Sequence, residues 1–294
     1  MAPPKRHLLK EINDLCRRNK DGSFSTQSSR QDILIMAGKQ LIKAGYKNLG
    51  ADSIGKRHID FLIAEWKSAG LSPATLKNRV AHLRWWCQKI NKQNLIPRKN
   101  CALGIERRTY IPKTSKAFDL REESLEKIKC EHLRVSLELQ AAFGLRREEC
   151  LKFQPKFAMS SGPEIVQLKG SWTKGGRPRE IPVTSEYQRQ VLAKALALAG
   201  EGSMIPPDKS YKQQKISYDN QTRQAGLSSL HGLRHQYAQN RYFDLTGWPS
   251  PLAGGPRKKA LTKQQKEIDQ RVRMQISAEL GHGREQITLV YLGR

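Results

Sequence analysis

Residues 280–294 read Leu280-Gly281-His282-Gly283-Arg284-Glu285-Gln286-Ile287-Thr288-Leu289-Val290-Tyr291-Leu292-Gly293-Arg294. A tyrosine stands nine residues after a Leu-Gly-His. Taken alone, such a tyrosine is a packing aromatic. Two polar clusters upstream, around Arg146 and around His231 and Arg234, change its weight, because they offer the cations that an activated phenol needs.

The rest of the composition narrows what such a cluster acts on. The chain has 294 residues, a comfortable length for two domains. The start, Met1-Ala2-Pro3-Pro4-Lys5-Arg6, has no apolar stretch behind it, which argues against a signal peptide. No apolar run approaches the roughly 18 residues of a membrane span. The five cysteines (16, 87, 101, 130 and 150) are odd in number and scattered, with no CxxC pair and no ligand spacing. They read as reduced thiols in a cytosol, without a zinc site or disulfide frame. The formal charge of +26 exceeds what solubility needs and points to a polyanion. It is not a basic tail on a neutral body: residues 1–113 hold 23 Lys/Arg against 8 Asp/Glu, and residues 114–294 hold 30 against 19. Affinity for such a partner should fall steeply with salt.

The pattern along the chain divides it into four stretches. Residues 1–29 are polar and charged, a basic arm or a short helix. Residues 30–97 are helical. Ile33, Leu34, Ala37, Leu41 and Ile42 recur at three-to-four spacing, and Ile59, Leu62, Ile63 and Trp66 share one face of a helix over 58–69. Ser72-Pro73 is a helix start, with serine as cap and proline at the first position. The helix over 74–91 buries Leu76, Val80, Leu83, Trp86 and Ile90 and offers Lys77, Arg79 and Arg84 on another face. Residues 98–116, proline-containing and basic, form a linker. Residues 117–294 form a second domain. Helices are expected over 120–129, 133–143, 185–199 and 231–242. Strands over 165–168 and 180–183 make a hairpin that turns at Lys174-Gly175-Gly176. Residues 244–261 are rich in Pro and Gly, and Thr262-Lys263-Gln264-Gln265 fits a capping box that opens another helix.

Four clusters carry chemistry. In Gly144-Leu145-Arg146-Arg147-Glu148-Glu149, a guanidinium at a helix start matches two phosphate oxygens, and Glu149 sits three positions on to fix it. Alone it is as readily a solvated salt bridge. In Thr173-Lys174-Gly175-Gly176-Arg177-Pro178-Arg179, a lysine at a hairpin tip reaches into a groove or protonates a leaving oxygen; alone it is a basic turn. In His231-Gly232-Leu233-Arg234, the spacing puts an imidazole and a guanidinium on one helical face. The fourth is Leu280-Gly281-His282 with Tyr291.

Gly-Leu-Arg-x-x-Glu, a hairpin lysine, His-x-x-Arg, and Leu-Gly-His with a tyrosine nine residues on, in that order, resemble the phage-integrase family of tyrosine recombinases. The resemblance covers residues 117–294 by motif and 30–95 by pattern only. It implies a mainly α fold with a small antiparallel β-sheet: an all-helical core-binding domain plus an α+β catalytic domain, wrapping DNA as a clamp. It implies site-specific DNA recombination for a mobile element, without metal, ATP or other cofactor. Tyr291 would attack the scissile phosphate and form a 3′-phosphotyrosyl link. Arg146 and Arg234 would hold the non-bridging oxygens, Lys174 would protonate the 5′ oxygen, and His231 would move the tyrosine proton. His282 would hydrogen-bond the phosphate and Glu149 would orient the site. Lys77, Arg79, Arg84, Arg177 and Arg179 are the expected DNA contacts. The implied partners are double-stranded DNA with attachment sites, a homo-tetramer in the synaptic complex formed from free monomers, and accessory DNA-bending or directionality factors.

Three features depart from a compact family member. Arg234 and His282 are 48 residues apart, which suggests an insertion over 244–270. Arg147 follows Arg146, so the register of the first arginine is open by one residue. No C-terminal segment follows Tyr291 to couple neighbouring subunits, so the placement of the tyrosine must come from residues 271–290, a neighbouring subunit or DNA. The alternatives are a type IB-like DNA topoisomerase and a catalytically inactive DNA-binding relative.

Overall fold

In the computed structural model, residues 7–108 and 110–294 are described, and they fall into two compact units, Met1–Thr109 and Tyr110–Arg294. Lys5 and Arg6 of the expected basic arm lie outside the described residues.

The first unit is built from α1 (Leu8–Arg18), α2 (Phe24–Lys43), α3 (Lys56–Ser68) and α4 (Pro73–Lys89). Its start signals work as the sequence suggests. The Ser72 hydroxyl accepts from the Thr75 amide at 3.2 Å, with Pro73 at the first helical position. Leu34, Ala37, Leu41, Ile59, Leu62, Trp66, Leu76, Val80, Leu83 and Trp86 make one core. Burying each of the Leu, Ile and Val side chains contributes about 1.5–3 kcal/mol. Residues 8–18 are part of this body: Leu8 and Ile12 of α1 are buried in the same core. The contact with α2 is close, since a Cβ on Gly38 would stand 2.8 Å from Leu9 Cδ2. Ile90, expected on the buried stripe of α4, is half-buried just past the helix end, and Cys87 occupies the core instead.

The second unit carries α5 (Glu122–Glu126), α6 (Glu131–Phe143), α7 (Arg147–Lys152), α8 (Pro155–Ala158), β1 (Ile165–Leu168), β2 (Arg179–Pro182), α9 (Glu186–Ala199), α10 (Tyr211–Gln224), α11 (Gly232–Thr246), α12 (Lys263–Glu279) and α13 (Leu289–Leu292). The strands are antiparallel, with Val166 opposite Ile181 and Leu168 opposite Arg179. Capping boxes start α9 (Ser185, Gln188), α10 (Ser210, Gln213) and α12 (Thr262, Gln265). The core is formed mainly by α6, α7, α9, α11, α12 and the strands, through residues such as Leu137, Phe143, Phe153, Val166, Ile181, Val191, Leu233, Tyr242 and Ile276. The fold is mainly α with one small antiparallel sheet. Among the described residues no helix is long and apolar enough to cross a membrane.

Candidate active site

Four elements converge on Glu149, and each arrives by a local device. The first is the end of α6. Gly144 closes it at φ +59°, and a Cβ there would stand 2.6 Å from the Tyr237 ring, so glycine is required for both conformation and space. The chain then turns straight into α7. Glu149 reaches back to cap that helix, accepting from the Arg146 amide at 2.7 Å, and its other oxygen takes Arg146 Nη1 at 2.7 Å.

The second element is β2. Arg179 makes a two-pronged contact with the same carboxylate, at 2.9 and 2.7 Å, while its Nε donates to the Glu279 carbonyl. The third is α11, where the Arg234 side chain is fully buried. It lies 3.9 Å from Glu149 and donates to the carbonyls of Gly144 and Leu280. The fourth is the end of α12. The Leu280 carbonyl, at the negative end of that helix, accepts from both Arg234 and Arg146. Gly281 follows at φ +67°, with a would-be Cβ 3.1 Å from the Arg179 side chain.

Three guanidinium groups thus share one fully buried carboxylate. Burial alone would raise the Glu149 carboxyl. The hydrogen bonds and charge of Arg179, then the Arg234 charge and the Arg146 amide, overturn this and hold it at about 2. Burial likewise pushes Arg234 down to about 10, still charged at neutrality. A buried ion of this kind persists only when paired and hydrogen-bonded on all sides, as here. The cluster carries excess positive charge, and Arg146, with 19% of its side chain accessible, opens it outward.

Tyr291 completes the cluster. It is 5% exposed, and its hydroxyl accepts from Arg234 Nε at 3.3 Å. Three imidazoles surround its ring, with centroids at 4.8 Å (His235), 6.1 Å (His231) and 6.2 Å (His282). All three are pushed down to about 4. For His282 the causes are burial, then the charges of Arg234 and Arg146. His235 is buried and then opposed by His231 and Lys116. His231 keeps surface access, but protein crowds one side of its ring; that desolvation, followed by Arg234 and Arg146, lowers it. His282 Nε2 lies 3.4 Å from Arg146 Nη2.

The structure brings Arg146, Glu149, His231, Arg234, His282 and Tyr291 together. Arg147 turns away to an ion pair with Asp219, so the arginine of the cluster is Arg146. Lys174 stands exposed on the turn between the strands, where Gly175 and Gly176 take positive φ, and no hydrogen bond or ion pair joins it to the cluster among the described residues. Arg177 is exposed on the same turn. Arg179, expected at DNA, is instead bound inside the protein by Glu149, with 5% of its side chain accessible. Its register opposite Leu168 turns it toward α7 and α12. On α4, the Arg84 guanidinium is tied to the Pro97 carbonyl at 2.7 Å, and Arg79 lies over the Trp66 ring at 5.1 Å. Lys77 is half-buried on the same helix.

Sequence reasoning missed Arg179 as the Glu149 partner, since nothing in the spacing announces a contact across 30 residues. It also missed His235, although His-x-x-Arg-His stands in plain sight. The chain matches the family described as Integrase over residues 110–240 and the one described as Phage integrase, N-terminal, over residues 6–96. Together these stretches cover most of its length. No curated protein matches it. Among solved structures it resembles XerH site-specific recombinase bound to its difH substrate (15% identity, 97% of this chain and 81% of that one, TM-score 0.54). It also resembles a lambda integrase dimer bound to a COC′ core site (14%, 96% and 76%, TM-score 0.59) and the Tn1549 transposon integrase in complex with circular intermediate DNA (11%, 98% and 96%, TM-score 0.54). At those identities the likeness speaks to the fold, while the two sequence matches and the assembled cluster speak to kinship: the chain belongs to the phage-integrase family of tyrosine recombinases, enzymes that cleave and rejoin DNA at specific sites for a mobile element.

Proposed function

We propose that Tyr291 is the nucleophile of this integrase and that Arg146, Arg234, His231, His282 and Lys174 divide the remaining chemistry. The observation that carries the reading is the Tyr291 hydroxyl 3.3 Å from Arg234 Nε, in the cluster that also holds Arg146 and His282. The phenolic oxygen forms a bond to the scissile phosphorus and the bond to the 5′ oxygen breaks. His231, neutral at pH 7, takes the phenolic proton, and Lys174 gives a proton to the departing 5′ oxygen. Arg146 and Arg234 hold the non-bridging oxygens, where charge grows in the transition state. His282 hydrogen-bonds the phosphate. Glu149 and its ion pairs keep the two arginines in place before DNA arrives. The phosphotyrosyl ester retains the energy of the broken bond, so the freed 5′ hydroxyl reverses the step without a nucleotide cofactor.

Lys174 reaches this site when the field of the phosphates draws its turn inward. Double-stranded attachment-site DNA is the substrate. Four chains act on two duplexes, an arrangement for which a lambda integrase tetramer bound to a Holliday junction (14% identity, TM-score 0.57) is a precedent in fold. Accessory DNA-bending or directionality factors complete the assembly. In the first unit, α4 contributes phosphate contacts through Lys77. The test is a nicked duplex copied from the repeats that flank the gene, on which the 5′-terminal fragment diffuses away and the covalent adduct accumulates. The wild type traps adduct and Tyr291→Phe traps none. Adduct with Tyr291→Phe would remove the nucleophile assignment, and relaxation of plasmids without site preference would remove the site-specific reading.

A further inference from the structure

The stretch 247–255, in the insertion between Arg234 and His282, lies directly on the last turn of the chain. The helix that carries Tyr291, α13, is one turn long. A single turn has no stability of its own, because nucleation fixes several residues for one hydrogen bond. Something outside it must hold the tyrosine.

Beyond the burial of Tyr291 and Leu292 in the core and the Arg234 bond to the tyrosine hydroxyl, three contacts do so. Gly293 follows α13 at φ +79°, and a Cβ there would stand 2.9 Å from Leu252 Cγ and 3.3 Å from Pro251 Cβ. The Gly293 carbonyl accepts from Arg273 Nη1 at 3.0 Å, and the Tyr291 carbonyl accepts from Gln239 Nε2 at 2.9 Å. Arg273 is itself fixed. Its Nε donates to Asp269 at 2.8 Å, Asp269 also accepts from the Tyr242 hydroxyl at 2.6 Å, and that hydroxyl accepts from Trp248 Nε1 at 3.2 Å. The chain of partners runs from the loop, through α11 and α12, to the backbone two residues past the tyrosine.

The loop is as tightly specified. Ser250 is fully buried, and its carbonyl accepts from the Ala253 and Gly255 amides at 2.8 and 2.9 Å. A Cβ on Gly255 would collide with the Pro249 carbonyl, so the turn needs glycine there. A segment with this much internal bonding and a buried face is a built part of the domain, not a solvated excursion.

We infer that residues 247–255 and Arg273 form an intramolecular clamp that docks α13 and delivers Tyr291 to the arginines of its own chain before DNA binds. Leu252, Arg273 and Gln239 are positioning residues that act through the backbone of the nucleophile itself and of Gly293, two residues on. The consequence for the reaction rests on Tyr291 being the nucleophile; the clamp itself does not.

Hydrogen exchange on the full free chain separates the two. In the wild type the amides of 289–293 exchange slowly. In Arg273→Gln and, independently, in the Pro251→Ala/Leu252→Ala double variant, they exchange at least about 10-fold faster, while α6 and α9 keep their protection. Fast exchange over 289–293 in the wild type, or no change in the double variant, overturns the clamp. On the nicked duplex described above, both variants should form adduct about 100-fold more slowly, as expected for a nucleophile displaced by an ångström. Their affinity for the same duplex should be unchanged, and Arg273→Lys should restore part of the rate. A parallel loss of affinity and rate would overturn the positioning role. If the wild type forms no adduct, the nucleophile assignment fails, and exchange alone decides the clamp.

Discussion

The Glu149 cluster and the hairpin turn that carries Lys174 belong to one domain and face opposite physical demands. The cluster is buried, paired and hydrogen-bonded on nearly every polar atom, with one carboxylate serving three guanidinium groups. The turn is exposed, glycine-rich and without partners to the cluster among the described residues. The difference follows from what each must do. Groups that stabilise a developing charge gain from being fixed in advance, because no reorganisation is then needed during the reaction. In the proposed reaction, the group that meets the departing oxygen arrives with the substrate, on a basic turn that follows the phosphates. On this proposal, one region is maintained by folding and the other by DNA.

Mutations should separate the two. The largest effect belongs to Tyr291→Phe, which removes the attacking oxygen and should abolish adduct on the nicked duplex with DNA affinity intact. Next comes Lys174→Ala. Loss of the general acid should slow cleavage by about 100- to 10,000-fold, while urea unfolding stays within about 0.5 kcal/mol of wild type, as for an exposed site. A duplex with a sulfur in place of the scissile 5′ oxygen should recover most of the rate, since a thiolate leaves without a proton. A stability loss in this variant would mean that the turn is part of the folded cluster, and the contrast between the two regions would fall.

Glu149→Gln tests the other side. It leaves Arg179 and Arg234 buried without their counter-charge, which should cost about 3–5 kcal/mol in urea unfolding. Activity should fall as well, because Arg146 and Arg234 lose their shared anchor. A variant that loses activity at full stability would show that Glu149 acts on the substrate and not on the arginines.

Much of this division was legible in the residues. Gly144-Leu145-Arg146 with Glu149 and His231 with Arg234 sit on short, regular spacings, and local geometry brings each pair together. His282 and Tyr291 were legible as a motif, but long-range contacts bring them together. The strands and the caps at Ser72 and Thr262 were legible from local spacing too, whereas α10, started by a capping box of Ser210 and Gln213, was passed over in the reading of the sequence. What could not be read were partners chosen by packing at long range. Arg179 joins Glu149 only because β2 crosses beside α7 and α12, and Arg84 is drawn to Pro97 by the chain doubling back past α4. Both read as free cations until the fold occupies them. Residues 8–18 are a subtler case: Leu8, Ile12 and Leu15 stand at helical spacing, but the charged residues around them hide the stripe until α2 covers it.

The pH dependence sharpens the contrast in a third way. His235 is buried against Tyr291 and sits at about 4, below its ordinary 6.5. Between these values the unfolded chain binds more protons than the folded one, so stability falls as pH drops from 6.5 toward 4. The slope reaches about 1.4 kcal/mol per pH unit for this residue. Glu149, at about 2 against an ordinary 4.5, extends the loss below pH 4.5. Urea midpoints between about pH 4 and 7 should show the fall, and His235→Gln should lessen it by this residue's share, with His231 and His282 contributing the rest over the same window. A flat profile in the wild type would mean that these rings are solvated and the cluster is open.

The smallest effect lies in two arginines separated only by Pro178. Arg177 is exposed on the turn, and Arg179 is held by Glu149. Removing a cation that neutralises one phosphate should reduce the slope of log affinity against log salt by about 0.9. Arg177→Ala should show this reduction with unchanged unfolding. Arg179→Ala should do the reverse, keeping the salt slope and losing stability, because its removal strips the buried carboxylate of its two-pronged partner. If both lower the slope and neither unfolds the domain, Arg179 leaves Glu149 for the phosphates when DNA binds, and the cluster is remade by its substrate, not built ahead of it.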